Sequence, residues 1–200
     1  MRRALAAIDA VHGDGDLPLL PVVRTRTATE AGAYEWSDRS GEPLRLRFSN
    51  LGDHPELTVV HEIGHFRDPQ AFGRPGMFAS GSGALATLMR AIDRTEAVNR
   101  LRALRVRRRV IVDERGRREA EVISQSRVAC LLQPIELFAR AYAQFVTWES
   151  RHEGQLKQLE YLRSLRRTRV YHDIWEEDDF AAVASELSRF LGRRRWMRSR

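Results

Sequence analysis

The stretch Val59-Val60-His61-Glu62-Ile63-Gly64-His65-Phe66-Arg67-Asp68 decides how the rest of the chain is read. It contains His-Glu-x-x-His. On a helix this spacing places two imidazoles one turn apart on one face, with a carboxylate beside the first. Two neutral imidazoles can ligate a zinc ion, and the glutamate can take a proton from the water that the metal activates. Chance puts such a pattern into a chain of this length with a probability on the order of one per cent. The bland alternative is a pair of exposed helix histidines beside a solvated glutamate. The neighbours argue against it: Val59, Val60, Ile63 and Phe66 make a buried helix, and Gly64 removes a side chain where a second element can come close. Buried histidines need polar partners.

Upstream, Asn50-Leu51-Gly52-Asp53 reads as a turn. Asp53 and Glu56 have the spacing of a capping box, and Pro55 suits a first helical turn. A helix is therefore expected from about 54 to Asp68-Pro69, since residues before proline avoid helix. Before it, Ala33–Trp36 and Leu44–Phe48 flank the turn-rich 38–43 and read as a hairpin. Leu44, Leu46 and Phe48 point to one face, Arg45 and Arg47 to the other. Residues 2–11 read as a short amphipathic helix and 17–23 as a strand entered through prolines.

Two imidazoles leave a catalytic zinc one protein ligand short. His152 and His172 lie in polar, poorly patterned segments and read as surface residues. Glu136 differs. It opens the apolar helix Pro134-Ile135-Glu136-Leu137-Phe138-Ala139-Arg140-Ala141-Tyr142-Ala143, and Ala139 and Ala143 continue its face. A carboxylate backed only by alanines belongs to a face that packs closely on another helix, where it needs a cation. Glu136 is the expected third ligand; the competing reading is an acid favoured by the helix dipole. Asp68 lies three residues past His65 on the same face, at the unfavourable end of the dipole. It reads either as a contact that orients a ligand imidazole or as a solvated cap at the Pro69 turn.

Elsewhere, 70–83 reads as loop, Ala84 to about Leu104 as one helix, and Arg105–Arg109 as a basic run. Val110–Val112 with Ala120–Ile123 forms either a small hairpin or a mobile loop. The Pro134 helix should run to about Trp148, a polar connection should span 150–170, and a last helix should start at Asp178-Asp179-Phe180. Its inward stripe is Phe180, Val183, Leu187, Phe190 and Leu191. The tail from Arg193 is basic.

The composition fits one globular domain with a real core: 200 residues, 42% of them hydrophobic. No apolar run approaches the ~20 residues that span a membrane. Residues 1–11 lack the long apolar segment of a signal peptide, and Cys130 stands alone, so the expected setting is cytoplasmic. Of 34 basic residues only Lys157 is a lysine, and the net charge is +7. The arginines are scattered among acids, which favours genome composition over a nucleic-acid surface as their cause.

The two motifs together, His61-Glu62-Ile63-Gly64-His65-Phe66-Arg67-Asp68 and Glu136-Leu137-Phe138-Ala139-Arg140-Ala141-Tyr142, resemble the zinc peptidases with a glutamate third ligand, the gluzincins. Within these the likeness is to the anthrax lethal-factor type. The chain is similar also to zincin-like modules of phage and prophage proteins, attached to Mu-type head-morphogenesis or polyvalent proteins, in which a segment like Trp175-Glu176-Glu177-Asp178-Asp179-Phe180 recurs. The resemblance covers roughly 44–191. It implies the ligands His61, His65 and Glu136, with Glu62 as general base, and a strand near 44–48 that borders the cleft and pairs with an extended peptide. It also admits a phage-particle setting or export without a classical signal peptide. The chain departs from the lethal-factor pattern at Ala129, where that type carries an oxyanion-stabilising tyrosine. Tyr142 is no substitute, because six residues of helix turn through ~600°, off the Glu136 face.

The expected fold is α+β and zincin-like: a small antiparallel sheet, the site helix and a mainly helical C-terminal region. A single domain spans residues 1–200. Within it the sheet region covers residues 1–53, the site helix 54–68, an insertion 69–127, and the third-ligand helix with the remaining helices 128–200. The expected function is a zinc metallopeptidase acting on a peptide or protein. The alternative is a non-catalytic zinc module of a phage or toxin protein that contacts nucleic acid or another protein.

Overall fold

The computed structural model describes residues 1–13, 17–27, 30–104, 109–112, 118–121, 124–164 and 174–193. His172, the basic run at 105–108 and the tail from 194 fall outside this set. The described chain is α+β: helix α1 (Arg2–Val11), strands β1 (Val22–Thr25), β2 (Gly32–Trp36) and β3 (Pro43–Ser49), then α2 (Pro55–Arg67). After a loop come α3 (Ala86–Asp93) and α4 (Glu96–Ala103), a hairpin of β4 (Arg109–Val112) and β5 (Arg118–Glu121), and four helices. These are α5 (Gln125–Leu131), α6 (Pro134–Ser150), α7 (Glu153–Ser164) and α8 (Glu177–Arg193). None of the described helices is long and apolar enough to cross a membrane.

The first sheet is mixed, not antiparallel as expected. Its order is β1-β3-β2, with β1 parallel and β2 antiparallel to β3. The chain skips one place between β1 and β2 and returns between them, so the strictly alternating strand becomes the centre. Leu46 and Phe48 are buried, while Arg45 and Arg47 turn to the other face. There Arg45 meets Glu35 at 2.5 Å, and Arg47 pairs with Glu30 and Glu35. The first strand starts at Val22, later than the 17–23 run suggests, because only Val22–Thr25 find ladder partners on β3.

The site helix α2 packs along α6, and their inner faces join Val60 and Phe66 to Phe138, Tyr142 and Phe145. Its N-terminus departs from the expected capping box. His54 is the N-cap and makes no side-chain cap, while Gln158 of α7 accepts from the Leu57 N–H at 3.1 Å. A tertiary partner thus satisfies one of the first-turn donors that a local cap would otherwise serve. The α-helix ends at Arg67, at the expected boundary, and the chain continues as a π-turn, Asp68–Phe72, which accommodates a proline lacking an N–H.

The single helix expected over 84–104 is two. Thr95 breaks it as the N-cap of α4, accepting from the Val98 N–H, and the Asp179 carboxylate accepts from the Glu96 and Ala97 N–H groups at 2.8 and 3.0 Å. Trp175 is buried above this junction. Its indole donates to Thr95 at 2.9 Å, and its backbone exchanges hydrogen bonds with the Gln144 amide. The Trp175–Phe180 segment therefore fastens α4, α6 and α8 together. The last helix buries Phe180, Val183, Leu187 and Leu191, as its spacing predicts. The expected polar connection over 150–170 contains α7, held by buried Leu159 and Gln155.

Candidate metal centre

The close approach of α2 and α6 builds the centre. At Gly64 a Cβ would lie 3.1 Å from both the Ala139 Cα and the Tyr142 ring. A helix with a side chain there could not reach this depth, and the facing ligands would part. With the helices this close, Glu136 on the first turn of α6 stands opposite the two histidines of α2. His61 and His65 bring their Nε2 atoms to 3.0 Å, with rings edge-on at 89°. Glu136 reaches His65 Nε2 at 3.2 Å and His61 Nε2 at 3.6 Å, one oxygen to each. Among the described residues, His61, His65 and Glu136 form the group whose ligand atoms converge.

These separations suit a metal. A tetrahedral zinc with bonds of about 2.0–2.1 Å to nitrogen holds its donors roughly 3.3 Å apart. The donor set suits it as well: two imidazoles and a carboxylate supply one negative charge and leave one position open. Each side chain of the triad is partly exposed, His65 least at 11%. All three side chains line a cavity.

The electrostatics show how the triad divides charge. Burial, with the second imidazole beside it, depresses His61 to about 3, so this ring stays neutral. Burial also opposes a charge on His65, but the Glu136 hydrogen bond and carboxylate overcome it and raise the ring's pKa. Burial pushes Glu136 upward, and the two histidines with Arg140 override it, down to about 2. These directions favour a protonated His65 beside an ionised Glu136 in the metal-free chain, and a divalent cation would take that proton's place.

Glu62 sits beside the triad and is 6% exposed. Burial raises its carboxyl to about 7, with Glu136 adding and His65 and the nearby Tyr34 backbone opposing. The β2 backbone lies directly against it: a Cβ at Gly32 would stand 2.8 Å from Glu62 Cγ.

Asp68 does not touch a ligand ring. It is fully buried and accepts from the Ser80 N–H at 2.9 Å and from the Ser80 hydroxyl, tying the 79–81 turn to the end of α2. Burial raises its pKa against those two bonds. It is not a solvated cap: a loop twelve residues on supplies its hydrogen-bond partner, and its charge acts on His65 through space. His152 lies at the foot of α2 against Glu56, at 3.5 Å, away from the triad.

The cavity over the triad measures about 810 Å³. Gly32, Tyr34 and Trp36 of β2 line it, as do the apolar Leu131, Ile135 and Leu159 and the basic Arg127 and Arg140. The strand expected to border the cleft, 44–48, is instead the middle of the sheet, its ladder groups engaged on both sides. Of the two edge strands, β2 is the one that lines the cavity. Tyr142 is core, as its angular offset predicts: it is fully buried and bonds His12 Nε2 at 2.7 Å. Ala129 is exposed and does not line the cavity.

Two cleft residues escape a reading of the sequence, Arg127 and Arg140. The signal for Arg140 is its place one turn beyond Glu136. Its guanidinium bonds the Glu136 carbonyl at 3.3 Å and the Leu131 carbonyl, and lies 5.4 Å over the Trp175 ring. Arg127 carries no such signal. No family model, curated protein or solved structure matches the chain.

Proposed function

We propose that the chain is a zinc-dependent peptidase in which His61, His65 and Glu136 hold the metal and Glu62 handles the proton. The observation that carries this reading is the convergence of those three donors, 3.0–3.6 Å apart, beside a buried carboxylate on the floor of an open cleft. Bound there, zinc supplies a Lewis acid for water and for the scissile carbonyl. The chain's own groups do the rest. The β2 edge, Gly32–Trp36, presents backbone groups to which an extended peptide can add, and the apolar lining residues Leu131, Ile135 and Leu159 accept side chains. Glu62, a base with its pKa near neutrality, takes a proton from the attacking water and returns it to the departing amine. The Tyr34 backbone contact and the close packing of Gly32 fix the carboxylate's position for both transfers.

A second reading has its own support. The tyrosine hydroxyl that lethal-factor-type enzymes use has no counterpart at Ala129, and Tyr142 spends its hydroxyl on His12. A zinc-binding module without turnover, associating with a protein or nucleic acid, would tolerate that loss. A peptide-library cleavage assay on zinc-loaded wild type beside Glu62→Gln separates the two. Cleavage by wild type alone supports the peptidase. Zinc-loaded wild type that cleaves nothing and binds DNA in a salt-sensitive way supports the module.

A further inference from the structure

We propose that Arg127 is the residue that stabilises the negative charge on the carbonyl oxygen of a peptide as it is attacked, an inference that rests on the peptidase reading above. Water addition to the scissile carbon moves the carbonyl π pair onto oxygen while Glu62 receives the water proton. When the carbon–nitrogen bond breaks, that pair re-forms the carbonyl and Glu62 returns the proton to the amine. Nothing on the chain needs to give up a proton to the oxygen, so the group required is a fixed cation or hydrogen-bond donor at the cleft.

The described residues narrow the choice. Five cationic or potentially cationic side chains line the cavity: His54, His61, His65, Arg127 and Arg140. His61 and His65 belong to the triad. His54 is the N-cap of α2, nearly two turns before His61, and its ring packs on Tyr161. Arg140 is committed to two main-chain carbonyls and to the face of Trp175, an arrangement that steadies the first turn of α6. Arg127 has the opposite character. Its side chain is exposed, it faces the same cavity as His61 and Glu136, and no acid or carbonyl among the described residues takes up its guanidinium. Its charge is near enough to help lower the basicity of His61.

Its position is also fixed. Ser124 caps α5, accepting from the Arg127 N–H at 3.2 Å, and Val128 and Leu131 anchor the helix in the core. Leu131, one turn beyond Arg127, lines the cavity too, so this face of α5 forms a section of the cleft wall. A guanidinium on a short, anchored helix offers several N–H donors and keeps its charge at any working pH.

The test uses the full-length zinc-loaded protein with Arg127→Ala and Arg127→Lys. Zinc content and circular dichroism should match wild type, because the side chain is exposed. Against a peptide found by library screening, Arg127→Ala should lower kcat by about 100-fold with KM little changed, and Arg127→Lys should recover some of the loss. A phosphinic peptide that mimics the tetrahedral oxyanion supplies a readout without turnover. In a Glu62→Gln background, Arg127→Ala should weaken its Kd by a similar factor while zinc affinity stays put. Unchanged kcat together with unchanged phosphinic-peptide affinity would overturn the role of Arg127 alone. So would a raised KM at constant kcat, which marks ground-state binding. If wild type neither cleaves a peptide nor binds the phosphinic peptide, the peptidase reading falls and this inference with it.

Discussion

Gly64 on α2 stands so close to Ala139 on α6 that a Cβ at Gly64 would meet the Ala139 Cα at 3.1 Å. One close neighbour is the α6 main chain and the other is the buried Tyr142 ring, so an added methyl has little room to be accommodated by a flexible side chain. It lies on the helix that carries both histidines and faces the helix that carries Glu136. Gly64→Ala should therefore do two things at once. Overpacking should cost about 1–3 kcal/mol of stability by chemical denaturation. Pushing α6 away should also lengthen the Glu136 contacts and weaken zinc binding, measured by competition with a chromophoric chelator. Loss of stability with zinc affinity intact would show that the helix spacing and the metal geometry are not coupled.

The metal itself is testable by composition. Protein purified without chelators should hold about one zinc per chain by elemental analysis, and His61→Ala, His65→Ala or Glu136→Ala should lose it. Zinc binds the folded state, so at a free concentration of 100 times Kd it should add about 2.7 kcal/mol to unfolding, reversibly removed by chelator. A wild-type protein that holds no metal and shows no such shift would end the zinc reading.

Much of this centre is legible from local pattern. The His61–His65 spacing, the small residue at Gly64 and the alanine-backed Glu136 each depend on a single helix, and helical period is a strong sequence signal. What escapes is non-local. Asp68 finds Ser80 across a loop, the order of β1, β2 and β3 depends on which strands pair, and Gln158 serves a first-turn donor of α2 from more than a hundred residues away. The break at Thr95 rests on a carboxylate from Asp179. Helix α7 is hidden for another reason. Its apolar positions, Leu156, Leu159 and Leu162, are spaced by charged and polar residues that make the segment read as a connection.

Gly32 gives a way to disturb Glu62 without touching the motif. A Cβ there would stand 2.8 Å from Glu62 Cγ and from Thr58 Cγ2. Gly32→Ala should push the Glu62 carboxylate out of its position while the triad keeps its zinc. Peptide turnover should fall about tenfold or more, as a misplaced base loses its alignment. Zinc content should equal that of wild type. Full activity in this variant would mean that β2 moves freely against α2 and does not position the base.

The burial of Glu62 predicts a stability cost that depends on pH. Its carboxyl is raised from 4.5 to about 7, chiefly by burial, a difference corresponding to about 3 kcal/mol. Below the unfolded-state value the carboxyl is protonated in both states, and the fold bears no cost. As pH rises from the unfolded value towards the folded one, the unfolded chain releases its proton first, so stability declines across that window and levels off above about pH 7. A glutamine at this position has no proton to lose. In chelator-treated protein, Glu62→Gln should therefore match wild type below about pH 4 and exceed it by up to about 3 kcal/mol at pH 8. His65, Glu136 and Asp68 titrate in both proteins, so their contributions largely cancel in the difference. Denaturant titrations at a series of pH values read it directly. A difference that stays flat from pH 5 to pH 8 would show that the carboxylate is solvated in the free protein. With zinc added, the gap should shrink, because a divalent cation beside the carboxylate favours its charged form.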